Sequence, residues 1–368
     1  MQALEVGGGS VSEGEPNDSP AGIDIAVPCY QYGRFLRDCV TSVLAQGIEN
    51  VRILIIDNAS TDNSVEVAQQ LAAEDCRVAF VARRRNLGPH ASFNEGIEWA
   101  SSKYFMILCA DDLLAPGCLA RAVSVLERHL EVGFAYGRAA SVRPGDPIPA
   151  LHYGTPEMQW RILPGAELLE QFCRTGVCHI QGSSTMLVRT SVQKIAGHHR
   201  PSLEHSDDFE MWMRLARLGP VAKTEGQMAF LRMHGSNRSA FTRQTRSPGL
   251  SRRERDQMLY IWHDKAAFES FFTHEGASLP EVTRLHGLAM RSLGERAYWS
   301  ALAHLCRRQA WASLDLWRLA FSLSPVTAIL PPVGYLFRRD DLLKRIRSVA
   351  SEMVGLSHSA RPVEAGQS

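Results

Sequence analysis

Two adjacent carboxylates, Asp111-Asp112, directly follow the apolar run Tyr104-Phe105-Met106-Ile107-Leu108-Cys109 and precede Leu113-Leu114-Ala115-Pro116-Gly117. Paired acids at the end of a buried strand are costly unless something positive meets them. A hard divalent cation does this with oxygen ligands and bridges phosphates at the same time. The plainer reading is a turn and helix N-cap ahead of Pro116. A second acidic cluster, Asp207-Asp208-Phe209-Glu210, comes much later, and His234 follows it. Acid pair, second acids and late histidine, in that order, suit an enzyme acting on a nucleotide-linked substrate.

Alternating elements must position these residues. Ile23-Asp24-Ile25-Ala26-Val27 reads as a short strand stopped by Pro28, and Phe35, Leu36, Cys39, Val40, Val43 and Leu44 then share one helical face. Val51 to Ile56 is a buried strand ending at Asp57-Asn58-Ala59-Ser60, followed by a helix capped by Thr61 or Asp62. Val78 to Val81 is a third strand, and Phe93, Ile97 and Ala100 mark a helix leading to the strand before the acid pair. Such alternation predicts an α/β fold, a mostly parallel sheet flanked by helices. Ligands of such sheets bind outside the carboxyl ends of the strands. Pro28 to Tyr30, Asp57-Asn58 and Asp111-Asp112 all fall there. Further on, residues 141–165 read as an inserted loop, Met186-Leu187-Val188 as a strand, and Phe209 to Leu218 as a helix.

The expected division is a disordered tail over 1–22, a catalytic domain over 23–240, a basic linker over 241–256, a helical C-terminal region over 257–359 and a tail over 360–368. The net charge of +1 argues against a nucleic-acid partner. The eight cysteines form no CxxC pair and suggest small buried hydrophobes in a reducing cytoplasm. Residues 1–22 lack the basic start and apolar stretch of a signal peptide, and no window has the uncharged apolar length of a membrane span.

Five motifs in order carry a resemblance: Val27-Pro28-Cys29-Tyr30-Gln31, Ile56-Asp57-Asn58-Ala59-Ser60-Thr61-Asp62, Asn86-Leu87-Gly88 with Asn94, Ala110-Asp111-Asp112, and Asp207-Asp208-Phe209-Glu210-Met211-Trp212-Met213-Arg214 with Arg232-Met233-His234. Over about residues 23–240 the chain resembles the family 2 glycosyltransferases, which have the GT-A fold and invert the anomeric centre. The resemblance implies a nucleotide-diphospho-sugar donor, a glycan or lipid-linked acceptor, and surface glycan or polysaccharide synthesis. It makes Asp112 the ligand of Mn²⁺ or Mg²⁺, Asp111 a ribose or secondary contact, and His234 a late metal or pyrophosphate ligand. The family motif is often Asp-x-Asp-Asp, and Cys109 stands at its first position here.

On the nucleotide side, with Pro28, Tyr30 suits stacking on a pyrimidine base or simply pinning the turn. Asp57 suits a base N–H or ribose hydroxyl, or a cap. Arg84 or Arg85 suits base or phosphate, the second being preferred, against a solvated face. Asn86 and Gly88 shape a turn. The acceptor hydroxyl needs a base on the face opposite the leaving group. Asp208 is the choice, Asp207 the alternative, and Glu210 should face away. Trp212 packs rather than lining the acceptor site.

Two competing classes remain. A nucleotidyltransferase would show a Gly-rich basic loop where Pro28 to Arg34 stands. A non-catalytic nucleotide-sugar or glycan-binding module would lack Asp112 and Asp208. The basic segment 335–347 suits either peripheral contact with the inner face of a membrane or, preferred, a packed helix with a solvated basic face.

Overall fold

Ile23, Ile25 and Val27 point to one side of the first strand and Ala26 to the other, and all four are fully buried. A strand covered on both faces reads as a continuous apolar run. In the computed structural model, which describes residues 22–143, 146, 159–235, 252–329 and 331–334, this strand is β1 (Ile23–Cys29). It lies between β2 (Val51–Asp57) and β4 (Tyr104–Ile107), parallel to both, and β3 (Val78–Ala82) adds outside β2. Pro28 does not stop β1, contrary to expectation. Its missing N–H falls on the β4 side, where the ladder has ended with the bond from Leu108 N–H to the Ala26 carbonyl.

The helices α1 (Gly33–Leu44), α2 (Ser64–Glu74) and α3 (Pro89–Trp99) join these strands. Asp62 accepts from the backbone N–H of Gly33 at 3.1 Å and of Ser64 at 3.0 Å, so one carboxylate ties the starts of α1 and α2. Gly96 lets α3 lie on β1, since a Cβ there would sit 2.4 Å from the Ala26 Cβ.

After β4 the sheet is mixed. The remaining strands are β5 (Leu113–Leu114), β6 (Phe134–Val142), β7 (Trp160–Leu163), β8 (Met186–Arg189) and β9 (Val221–Arg232). The order is β3-β2-β1-β4-β8-β6-β9-β5, with β7 also pairing β9. β8 is antiparallel to β4 and β6, and β6 runs parallel to β9. The region read as a loop over 141–165 thus contains the end of β6, β7 and the start of a helix; residues 144, 145 and 147–158 lie outside the described part.

Between and after these strands come α4 (Cys118–Arg128), α5 (Gly165–Thr175), α6 (Thr190–Ala196), α7 (Asp207–Arg217), α8 (Arg252–Thr273), α9 (Val282–Cys306), α10 (Ala310–Leu323) and α11 (Pro325–Ile329). Each sheet face carries its own core. Leu36, Val40, Leu71, Leu119 and Val125 of α1, α2 and α4 cover one face. The other core joins Phe93 and Ile97 of α3, Phe172 of α5 and Phe209 of α7 to Phe268, Leu293 and Leu316 of the C-terminal helices. Phe209 meets Phe268 edge-on at 5.1 Å. The helical region is therefore welded to the back of the sheet domain. α8 starts at Arg252, inside the stretch expected to be linker to 256. The Pro248-Gly249 breaker lies before it, and Arg-Arg-Glu-Arg are good helix formers. The amphipathic segment 335–347 and both tails, apart from Gly22, lie outside the described residues.

Candidate active site

The rim at the carboxyl ends of β1, β2 and β4 gathers most of the expected residues. Cys29 is in register with Asp57, so Tyr30 leaves β1 beside the end of β2, and its ring is 44% exposed. Gln31 takes a left-handed φ of 61° and donates its backbone N–H to Ser60 Oγ at 2.9 Å. Asp57 is buried; one carboxylate oxygen accepts from Ser60 N–H at 3.0 Å, while Oδ1 is buried with no hydrogen-bond partner among the described residues. A buried acceptor left unmatched is a ligand-seeking atom, because its desolvation is otherwise uncompensated.

The neighbouring turn is structural. Asn58 donates to Asn86 Oδ1 at 2.7 Å and accepts from Leu87 N–H and Arg83, and Asn86 also accepts from Gly88 N–H. Arg83 is paired with Glu95 and bonds Ser92. Of the three arginines it is thus the structural one, whereas Arg84 and Arg85 are exposed.

The acid pair follows β4 in a tight turn, with Asp112 N–H donating to the Cys109 carbonyl. Both carboxylates are buried. Asp112 Oδ2 accepts from Ser184 Oγ at 2.7 Å, and Asp111 Oδ2 lies 3.1 Å from His234 Nε2. The His234 ring packs on Phe35 at 4.7 Å and meets Tyr32 edge-on at 5.5 Å. Burial and the adjacent Asp111 charge push the Asp112 carboxyl up, because both acids cannot ionise cheaply without a cation. Cys109, Asp111 and Asp112 offer ligand atoms within 4.8 Å of one another. Two carboxylates with a nearby imidazole make a donor set fit for Mg²⁺ or Mn²⁺.

The second cluster sits at the N-terminus of α7. Asp207 is buried, with Oδ2 at 3.0 Å from His199 Nδ1 and Oδ1 at 3.4 Å from His90 Nε2. His199 is held by a reciprocal pair of bonds between its backbone and the Asn94 side chain. Asp208 instead keeps 36% of its side chain exposed, 3.7 Å from His199 Nδ1. Burial and the charges of Asp112, Asp111 and Asp208 hold the Cys109 thiol well above its usual range. Glu210 points the other way into the protein, where it pairs with Arg214 at 2.9 Å and with Arg200. Burial still raises its carboxyl despite both arginines. Trp212 is buried, as expected.

Sequence reasoning missed Ser184, His90 and His199. The small polar run Gly182-Ser183-Ser184-Thr185 before β8 was a usable signal for the first; neither histidine stands in a pattern.

Residues 24–195 match the model of "Glycosyl transferase family 2". An uncharacterized glycosyltransferase of Haemophilus influenzae is 23% identical over 244 residues, 65% of this chain and 73% of that protein. A chondroitin synthase of Pasteurella multocida is 22% identical over 218 residues, 59% of this chain but only 21% of the synthase. Among solved structures, a mannosyltransferase of Pyrobaculum calidifontis, in complex with GDP-Man and Mn²⁺, superposes with a TM-score of 0.53 at 15% identity, covering 91% of this chain and 88% of that one. That likeness is one of fold. Residues 24–195, a little under half of the chain, are thus a glycosyl transferase family 2 segment.

Proposed function

We propose that the protein transfers a sugar from a nucleoside diphosphate-sugar to an acceptor hydroxyl, with inversion at the anomeric carbon. The observation that carries this reading is the buried Asp111-Asp112 pair beside His234 at the carboxyl rim of the sheet, with Asp208 a third exposed at the start of α7. Asp57 Oδ1 and Tyr30 supply the base end of the donor site, with the nearby Pro28, Arg85 and Asn86 as its flank. Asp112, with His234 beside Asp111, would hold Mn²⁺ or Mg²⁺. A bound divalent ion supplies neutralising charge for the departing diphosphate.

Asp208 takes the proton of the acceptor hydroxyl. That oxygen forms its bond to the anomeric carbon as the bond to the diphosphate oxygen breaks, and the electron pair leaves with the nucleoside diphosphate. A single carboxylate base acting on the acceptor accords with a single displacement. A role in polysaccharide synthesis accords with the chondroitin synthase relative; the acceptor in this reading is a glycan or a lipid-linked glycan, met on the cytoplasmic side.

A panel of nucleotide-sugars screened by thermal shift with Mn²⁺ or with chelator identifies the donor, since binding to the native state raises apparent stability. NMR of the isolated product then reads the anomeric coupling. An α-product from an α-linked donor would exclude single displacement.

A further inference from the structure

The outer face of α10 is apolar where a surface helix is normally polar. Ala312, Ser313, Leu316, Leu319 and Ala320 form its buried side. Trp311, Leu314, Asp315, Arg318 and Phe321 form the other, at helical spacing along one stripe. Trp311 is 82% exposed, Phe321 55% and Leu314 41%. Asp315 and Arg318 lie 3.6 Å apart and partly neutralise one another. α11, which packs on both α9 and α10, adds the exposed Val326, and Leu305 is exposed at the end of α9. Scattered exposed apolar residues need no explanation, but three large ones along one stripe of a helix mark a contact surface.

Charge says what kind of contact. Arg307 and Arg308 lie in the turn that leads into α10, and Arg318 is on its face. From 305 to 334 the sequence has three basic residues against one acidic one, while the chain as a whole has 40 against 39. The positive excess is thus concentrated at this end. A second copy meeting the same face would set like charges against each other. A helix lying in the plane of a bilayer needs the opposite: aromatic and aliphatic side chains at the acyl boundary, with arginines at anionic headgroups.

We propose that the outer face of α10 docks the protein on an anionic lipid surface. This inference does not depend on the catalytic reading. The test is vesicle flotation of the full chain, with phosphatidylcholine alone and with about a third phosphatidylglycerol. Binding is expected on the anionic vesicles only, weakened by salt. The double variant Trp311→Ser/Phe321→Ser should lower the partition coefficient by about tenfold or more. Arg307→Gln/Arg308→Gln should lower it roughly fivefold per charge removed. Melting temperatures control for unfolding, and that of Trp311→Ser/Phe321→Ser is expected to stay near wild type because both side chains are exposed. Equal binding by the apolar double variant overturns the proposal. So does loss of binding on replacing Arg338, Arg339, Lys344 and Arg345 by Gln while Trp311→Ser/Phe321→Ser still binds. A dimer that the apolar double variant converts to monomer also overturns it, by making the face a self-association surface.

Discussion

Asp207 and Asp208 are chemically identical neighbours, yet the structure assigns them different environments and so different mutant phenotypes. Asp208 keeps a third of its side chain open and makes no hydrogen bond to His199 at 3.7 Å. Asp208→Asn removes one carboxylate from the first turn of α7, of which the helix-dipole part costs about 0.3–1 kcal/mol, and keeps the side chain's shape. Its melting temperature should therefore stay close to wild type. Loss of the base should lower turnover by roughly 10²–10⁴-fold, about 3–5 kcal/mol of barrier.

Asp207→Asn behaves oppositely. Both of its oxygens face imidazoles that are themselves buried, His199 at 3.0 Å and His90 at 3.4 Å. A carboxamide satisfies one of them and turns an N–H towards the other. One buried polar group left unmatched costs about 1–3 kcal/mol. Asp207→Asn should thus melt lower, with turnover reduced only as far as Asp208 is displaced. Initial rates over a range of acceptor concentration, with thermal melts of both variants, separate the two effects. If Asp207→Asn is inactive at wild-type stability while Asp208→Asn keeps its turnover, the assignment of the base is refuted.

Three further outcomes follow from the same geometry. Asp112→Asn should abolish the Mn²⁺ dependence of nucleoside diphosphate affinity in calorimetry; unchanged affinity and turnover would sink the metal assignment. Asp57→Ala should weaken nucleotide binding by about 1–3 kcal/mol through the lost acceptor, and equal affinity would show that Oδ1 meets no ligand. Asp24 is buried and accepts from Arg52, from the backbone of Ser101 and Ser102 and from Ser102 Oγ, bonds that hold its carboxyl below the usual range against the cost of burial. Its folded value lies below its unfolded one, so the stability it contributes is present above about pH 4 and is lost as pH falls further. Asp24→Asn should cost about 1–3 kcal/mol at pH 7 in urea unfolding: the amide oxygen can keep the Ser101 and Ser102 N–H bonds, but the amide NH₂ then faces the Arg52 Nε–H that Oδ1 accepted, and the ion pair is lost. A difference that does not shrink in acid would count against it.

What the sequence made legible follows from the range of the interactions. β1, β2 and β4 are buried on both faces, so their apolar runs announce them without knowledge of partners. β6 and β9 were not visible. Their pairing shifts register between Tyr136 and Ala139, and exposed or half-buried Arg138, Lys223 and Glu225 interrupt the apolar pattern. Asp111 and Asp112 stand out because two acids adjoin at a strand end. His234 was reached only through the motif around it, since its contact with Asp111 spans 123 positions. The contacts of His199 with Asn94 and of Ser184 with Asp112 are likewise tertiary, and no local pattern encodes them. Arg83 was unreadable for another reason: in a run of three arginines only packing decides which one turns inward.

The departure at Cys109 acquires a physical sense from this arrangement. The site already sets two carboxylates, Asp111 and Asp112, close to one thiol, and the charge of Asp208 also reaches it. A fourth acid at 109 would add like charge to a basin whose Asp112 is already hard to ionise. A thiol held protonated by burial adds none, and its Sγ lies 3.9 Å from Ser183 Oγ, beside the Ser184 that bonds Asp112. The two serines before β8 thus do part of the work of holding the acid pair. The strand that carries Ser184 to it is antiparallel to β4, so the mixed half of the sheet, the half hardest to read, is what completes the rim begun by the parallel half.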